Sequence, residues 1–209
     1  MTASVPADGT IIVLSGPSCT GKTTIARDLQ SRLLPRPYLH VGLDYFEAMQ
    51  PRRDGRRVHV VYGRAPECAL RGPDLLPVVH GCAAAFAREG AGVVLEHIFF
   101  RRRWLKDAVQ QFAGLPVLFV GLVCPADELT RREQARTTRN AGPGQAARQV
   151  RMLETLDAHA PYDLLLDTLA ASPAECVEAI QRRLEEGPGL AFTRLLGSPI
   201  LDEPDPVIS

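Results

Sequence analysis

Residues 16–23 read Gly-Pro-Ser-Cys-Thr-Gly-Lys-Thr, and no other stretch of this 209-residue chain constrains its fold as tightly. Only 2 of the 24 basic residues are lysine, Lys22 and Lys106. A match to G-x-x-x-x-G-K-[ST] therefore arises by chance about once in a thousand chains of this composition. The flanks agree with the motif. Residues 10–15 (TIIVLS) form a β-branched run, and residues 21–34 place Ile25, Ala26, Leu29 and Leu33 on one helical face. Strand, glycine-rich loop and helix in that order make a phosphate cradle. Gly16 and Gly21 permit torsions that turn the loop's N–H groups inward, and the helix N-terminus adds partial positive charge. Lys22 has the reach for β- and γ-phosphates, and the Thr23 hydroxyl can ligate Mg²⁺. The expected ligand is Mg²⁺-ATP, held by Gly16, Pro17, Ser18, Cys19, Thr20, Gly21, Lys22 and Thr23, with Thr24 following. The competing reading is a glycine-rich turn that binds nothing.

Such a loop needs a sheet behind it. Apolar runs of strand length recur at 38–42, 92–96, 116–123 and 162–166. Helical patterns separate them: 44–49, a stripe of Leu75, Val78, Val79, Cys82 and Phe86, another of Trp104, Leu105, Ala108 and Phe112, and 126–136. Helix is expected again from the Gly/Pro break at 142–144 to about 158, and over 173–184. The strands are continuous apolar runs, as a parallel sheet covered on both faces requires. The fold class read from this is α/β, a P-loop NTPase with a mostly parallel five-stranded sheet and helices on both faces. Asp54-Gly55, between polar flanks and Val58–Tyr62, suggests a hairpin. Residues 1–186 form the expected domain. Residues 187–209 form a proline-containing tail that either drapes over it or docks on another chain, a homo-oligomer being one outcome.

Charge and cysteine usage narrow the function classes. The 24 acidic and 24 basic residues balance, so no global field points to nucleic acid or membrane. No apolar run is long enough to span a bilayer, and MTASVPADGT lacks the pattern of a signal peptide. The five cysteines (Cys19, Cys68, Cys82, Cys124, Cys176) follow no metal-binding or disulfide spacing and read as reduced core residues. A cytoplasmic location fits these observations.

The loop fixes the nucleotide and leaves the reaction open. No N-K-x-D segment follows a late strand, which argues against a regulatory GTPase. The chain resembles the chloramphenicol phosphotransferase-like kinases over most of residues 11–185. The resemblance rests on the loop, on V-G-L-D-Y-F-E-A-M at 41–49, G-P-D at 72–74, V-V-L-E-H-I-F at 93–99, V-G-L-V-C at 120–124 and R-E-Q-A-R-T-T-R at 132–139. It implies an ATP-dependent kinase of a nucleotide-kinase-like fold, acting on a hydroxyl of an antibiotic or related small molecule. It also implies an acceptor region at about 44–80 and a lid at about 132–145. A nucleoside or sugar kinase, or a nucleotide-dependent interaction module, are the alternatives.

Individual residues then take expected roles. By the resemblance, Asp44 draws the proton from the attacking hydroxyl; its competing role is an N-cap paired with Glu47. Arg132 and Arg136, with Arg139, are implied lid arginines that neutralise the transferred phosphoryl group. The competing role is a solvated face with Glu128 pairing Arg132. Glu96, where the family often has Asp, can hold Mg²⁺ as Walker-B acids do. His97 either contacts substrate or serves structure. Six arginines at 52–71 mark either a solvated hairpin or an acceptor with a negative group.

Overall fold

The computed structural model describes residues 9–49, 52–53, 56–57, 74–135, 149–150 and 161–204. In chain order they form β1 (Ile11–Ser15), α1 (Lys22–Arg32), β2 (Tyr38–Gly42), α2 (Leu43–Ala48), β3 (Arg52–Arg53), β4 (Arg56–Arg57) and α3 (Leu75–Arg88). There follow β5 (Gly92–His97), α4 (Arg102–Gln111), β6 (Val117–Val123), α5 (Ala126–Gln134), β7 (Leu164–Asp167), α6 (Pro173–Glu185), α7 (Ala191–Leu195) and a 3-10 turn (Pro199–Asp202). Five strands make one sheet in the order β2-β5-β1-β6-β7, with every pair parallel. β3 and β4 pair antiparallel, Arg53 opposite Arg56, as the Asp54-Gly55 signal suggests. Residues 58–62 lie outside the described set.

The parallel sheet is apolar on both faces because alternate side chains go to opposite sides. Ile12, Leu14, Val94, Leu118 and Leu122 meet Ile25 and Leu29 of α1 and Val177 and Ile180 of α6. Ile11, Val13, Val93, Leu95 and Phe119 meet α3, α4 and α7. Each fully buried aliphatic side chain here contributes about 1.5–3 kcal/mol of transfer free energy. The edges relax the rule: Leu39 of β2 and Leu165 of β7 are exposed.

α3 corrects the sequence reading. Its buried residues are Leu76, Val79, His80, Ala83, Ala84 and Ala87, whereas Val78 and Phe86 of the expected stripe face solvent. Three alanines allow a closer approach to the sheet than the larger side chains would. Asp74 caps the helix, Oδ1 accepting from the Leu76 N–H at 3.2 Å and Oδ2 from the Trp104 indole at 3.0 Å.

Residues 187–204 drape over the domain. Phe192, Leu195 and Leu201 are buried in the core between the sheet and α4. The Asp163 carboxylate accepts from the Leu190 and Ala191 amides at 2.7 and 2.9 Å through Oδ1, and from the Phe119 amide through Oδ2. Cys19, Cys124 and Cys176 are buried and Cys82 is half-buried; Cys68 lies outside the described residues. No helix among the described residues is long and apolar enough to cross a membrane.

Candidate active site

β1 delivers the chain to the loop at the carboxyl edge of the sheet, where open α/β sheets bind ligands. Only one of the loop's two glycines follows the torsional expectation. Gly21 does adopt a left-handed conformation, φ 89°, as the cap of α1. Gly16 does not; it is needed because a Cβ there would meet the Leu122 carbonyl oxygen at 2.5 Å. The second left-handed residue of the loop is Cys19, φ 68°. Its side chain is buried with Cys124 and Leu129, and that packing holds the conformation. Thr20 is buried too, its hydroxyl donating to the Pro17 carbonyl at 2.9 Å. Lys22 Nζ donates to the Gly16 and Pro17 carbonyls at 2.8 and 2.7 Å, so the lysine lies along the loop that the phosphates would fill. Thr23 and Thr24 are exposed on the first turn of α1.

Thr23 and Glu96 come together. The Thr23 hydroxyl donates to Glu96 Oε2 at 3.0 Å, and Glu96 Oε1 lies 2.5 Å from His40 Nε2. His40 Nδ1 is in turn 3.0 Å from the Tyr45 hydroxyl. The side chain of Glu96 reaches both partners at once. Among the described residues no group of three His, Cys, Asp or Glu could hold a metal. A hydroxyl and a carboxylate fit Mg²⁺ nonetheless, since that ion takes one or two protein oxygens and completes its shell with phosphate and water. Sequence reading missed His40. Its only signal is the strand period, which puts it on the face of Gly42, the register partner of Glu96.

Asp44 stands two residues past the end of β2, in the first turn of α2. Gly42, and not Asp44, occupies the N-cap position, with no side-chain cap bond, so the capping alternative falls. Asp44 is exposed and makes no hydrogen bond or ion pair among the described residues. Tyr45 and Met49 beside it, and Val78 of α3, are exposed apolar side chains.

Arg132 of α5 touches the loop. Its Nη1 lies 3.4 Å from the Cys19 carbonyl, Nη2 donates to the Thr168 carbonyl at 2.8 Å, and Nε donates to Glu128 at 2.7 Å. The Glu128 pair expected of a solvated face is therefore present, but the guanidinium also bridges loop and sheet end. Hydrogen bonds from Arg131 and Arg132 pull the Glu128 carboxyl down to about 2. Arg136 and Arg139 lie outside the described residues, as do the side chains of the 52–71 arginines.

His97 belongs elsewhere. It is buried on the opposite face of β5 from Glu96, stacked on Phe99 with ring centroids 3.8 Å apart. Its Nε2 is 3.0 Å from His80 Nε2, and His80 Nδ1 is 2.6 Å from Asp107. Burial pushes the His97 imidazole well below its ordinary range, with the nearby positive potential of His80 and Lys22 acting the same way. Burial also lowers His80, against the opposing pull of Asp107.

Comparison with known proteins agrees with this frame. A Mycobacterium tuberculosis protein provisionally named an O-phosphotransferase is 29% identical over 204 residues, covering 90% of this chain and 88% of its own. A sugar kinase from Janibacter sp. HTCC2649 superposes with a TM-score of 0.59 at 19% identity, over 87% of this chain and 96% of that one. The Mycobacterium tuberculosis APS kinase, solved with AMPPNP and APS, gives 0.56 at 19% identity, over 86% and 99%. At such identities the two structures show the fold, which is that of P-loop kinases. The family model described as chloramphenicol phosphotransferase-like protein matches residues 9–185, and the chain belongs to that family.

Proposed function

We propose that the protein transfers the γ-phosphoryl group of ATP to a hydroxyl of a small molecule, an antibiotic or related natural product. The observation that carries the reading is the meeting of Thr23 Oγ1 and Glu96 Oε2, 3.0 Å apart at the mouth of the loop. Such a pair offers two protein oxygens to the cation that phosphoryl transfer uses, with phosphate and water completing its shell. Family membership supports transfer to a small molecule, and the APS kinase of like fold holds an ATP analogue.

The residues divide the work. The loop amides and Lys22 bind and orient the phosphates. Mg²⁺, when held by Thr23 and Glu96, supplies charge neutralisation on the phosphate oxygens. Asp44, exposed beside the strand that pairs with β5, accepts the proton of the acceptor hydroxyl and orients it for in-line attack. Arg132, with Arg136, offsets charge developing on the transferred group. Tyr45, Met49 and Val78 offer apolar surface to the body of the acceptor.

The test is ADP release in the presence of Mg²⁺-ATP with a panel of hydroxylated antibiotics, nucleosides and sugars. One class should stimulate release strongly. Asp44→Asn should lower kcat by about 10²–10⁴-fold with that acceptor and leave the melting temperature unchanged, since the side chain caps nothing. Retention of most of the turnover in Asp44→Asn would remove its role. Absence of stimulation by every acceptor, with ATP bound tightly, would favour a nucleotide-dependent interaction module.

A further inference from the structure

Besides Arg132, a second side chain reaches the phosphate loop from far along the chain. Gln149, in helical backbone, accepts the Ser18 N–H through Oε1 at 2.6 Å, across 131 residues. An N–H only donates, so the carboxamide oxygen must face Ser18 and the NH₂ must point away from that amide. The residue is 7% exposed, and its NH₂ makes no hydrogen bond among the described residues. Among the described residues the buried polar atoms without a partner are Ser15 Oγ and His97 Nδ1, so the Gln149 NH₂ is not sealed off and stays accessible to a ligand beside the loop. Its surroundings are well fixed. Val150, the next residue, packs on Cys19, Cys124 and Leu129, so the backbone behind Gln149 is held against both loop and α5. Arg132 and Gln149 thus bracket the expected lid and land on adjacent loop residues, Cys19 and Ser18.

We propose that Gln149 is a phosphate-binding residue of the nucleotide site. Its oxygen stays on the Ser18 amide while its NH₂ donates to a phosphate oxygen of the nucleotide in the loop. This rests on the loop binding ATP, as proposed above. An amide suits the position because it is both acceptor and donor: a carboxylate would satisfy Ser18 but repel the phosphate, and an apolar side chain would do neither.

The experiment is equilibrium binding of ATP and of adenosine to the full chain, as wild type, Lys22→Ala, Gln149→Ala and Gln149→Glu. Loss of a hydrogen bond to a charged group corresponds to an expected weakening of ATP binding by about tenfold or more in Gln149→Ala. Gln149→Glu, which keeps an oxygen for Ser18, should weaken it further, and adenosine should bind all variants alike. If Gln149 only braces the loop, Gln149→Glu will bind ATP as wild type does, or both variants will weaken ATP and adenosine equally. Either result overturns the proposal. Melting curves check folding, and the near-isosteric Glu variant decides the matter if the Ala variant unfolds. The loop reading is judged separately: wild type that binds no ATP, or Lys22→Ala that binds it undiminished, would overturn that reading and the Gln149 role with it. Loss in Lys22→Ala with undiminished Gln149 variants would overturn the Gln149 role alone.

Discussion

Glu96 and His97 are neighbours in sequence and point to opposite faces of β5. Glu96 meets Thr23 and His40 at the open edge, whereas His97 is 4% exposed and stacks within an aromatic cluster with Phe99. Both are polar residues at the carboxyl end of a central strand, where sequence alone makes each a candidate for chemistry. The two-residue period of the strand separates them, one to a site and one to the core. Position at the edge of the sheet thus does not by itself bring a residue to the loop; the face decides which of the two meets it.

Substitution should separate the two by kind of effect as well as size. Glu96→Gln keeps the shape but removes the charge that would hold a cation, and a fall in kcat/KM of about 10²-fold is expected, with a small change in melting temperature. A variant that melts early yet turns over normally would reverse the comparison. His97→Ala leaves a cavity beside Phe99 and takes from His80 Nε2 its partner, and should cost about 2–3 kcal/mol of stability by denaturant unfolding. Turnover per folded molecule should stay within a few-fold of wild type. A fall matching that of Glu96→Gln would put His97 in the site.

The outcome for these two residues shows what the sequence carries. Local signals were readable: the loop with its flanks, the continuous apolar strands, and the Asp74 start of α3. Contacts between distant segments were not. His40 reaches Glu96 over 56 residues and Gln149 reaches Ser18 over 131, and nothing local to either residue announces the partner. The buried stripe of α3 is not legible from side-chain bulk, because alanines face the sheet while Val78 and Phe86 face solvent. The need for Gly16 is not legible locally either, because the Leu122 carbonyl that crowds it comes from β6, remote in sequence. The acceptor region at about 44–80 carries no specific local signal beyond the segments at 41–49 and 72–74.

Acidification should sharpen the contrast further. His97 and His80 are held neutral by burial, below their ordinary value of 6.5, while in the unfolded chain they titrate normally. The unfolded state therefore binds more protons below about pH 6.5, and stability must decline as pH falls from there towards the depressed folded values. Asp107 and Asp74 oppose the shift of His80, and Lys22 reinforces that of His97. Unfolding midpoints from pH 8 to 5 should fall for wild type and flatten in His97→Ala. Equal slopes would mean that His97 is not held neutral in the folded protein.

The same sorting of neighbours by face recurs on α4, where the smallest effect is expected. Asp107 points inward to His80 at 2.6 Å, while Lys106 points outward to Asp202 of the C-terminal segment at 2.5 Å. The shorter contact is not the stronger one. Lys106 and Asp202 are 40% and 69% exposed, so water screens the pair and ordering two mobile side chains offsets much of its gain. Lys106→Met should change stability by less than about 1 kcal/mol, because Phe192, Leu195 and Leu201 still anchor the segment. Asp107→Ala strips a buried imidazole of its acceptor and should cost about 1–3 kcal/mol. Denaturant unfolding of the two variants ranks them directly. If Lys106→Met proved the more damaging, the C-terminal segment would be held by its ion pairs, and burial would not be the guide to these residues that β5 makes it.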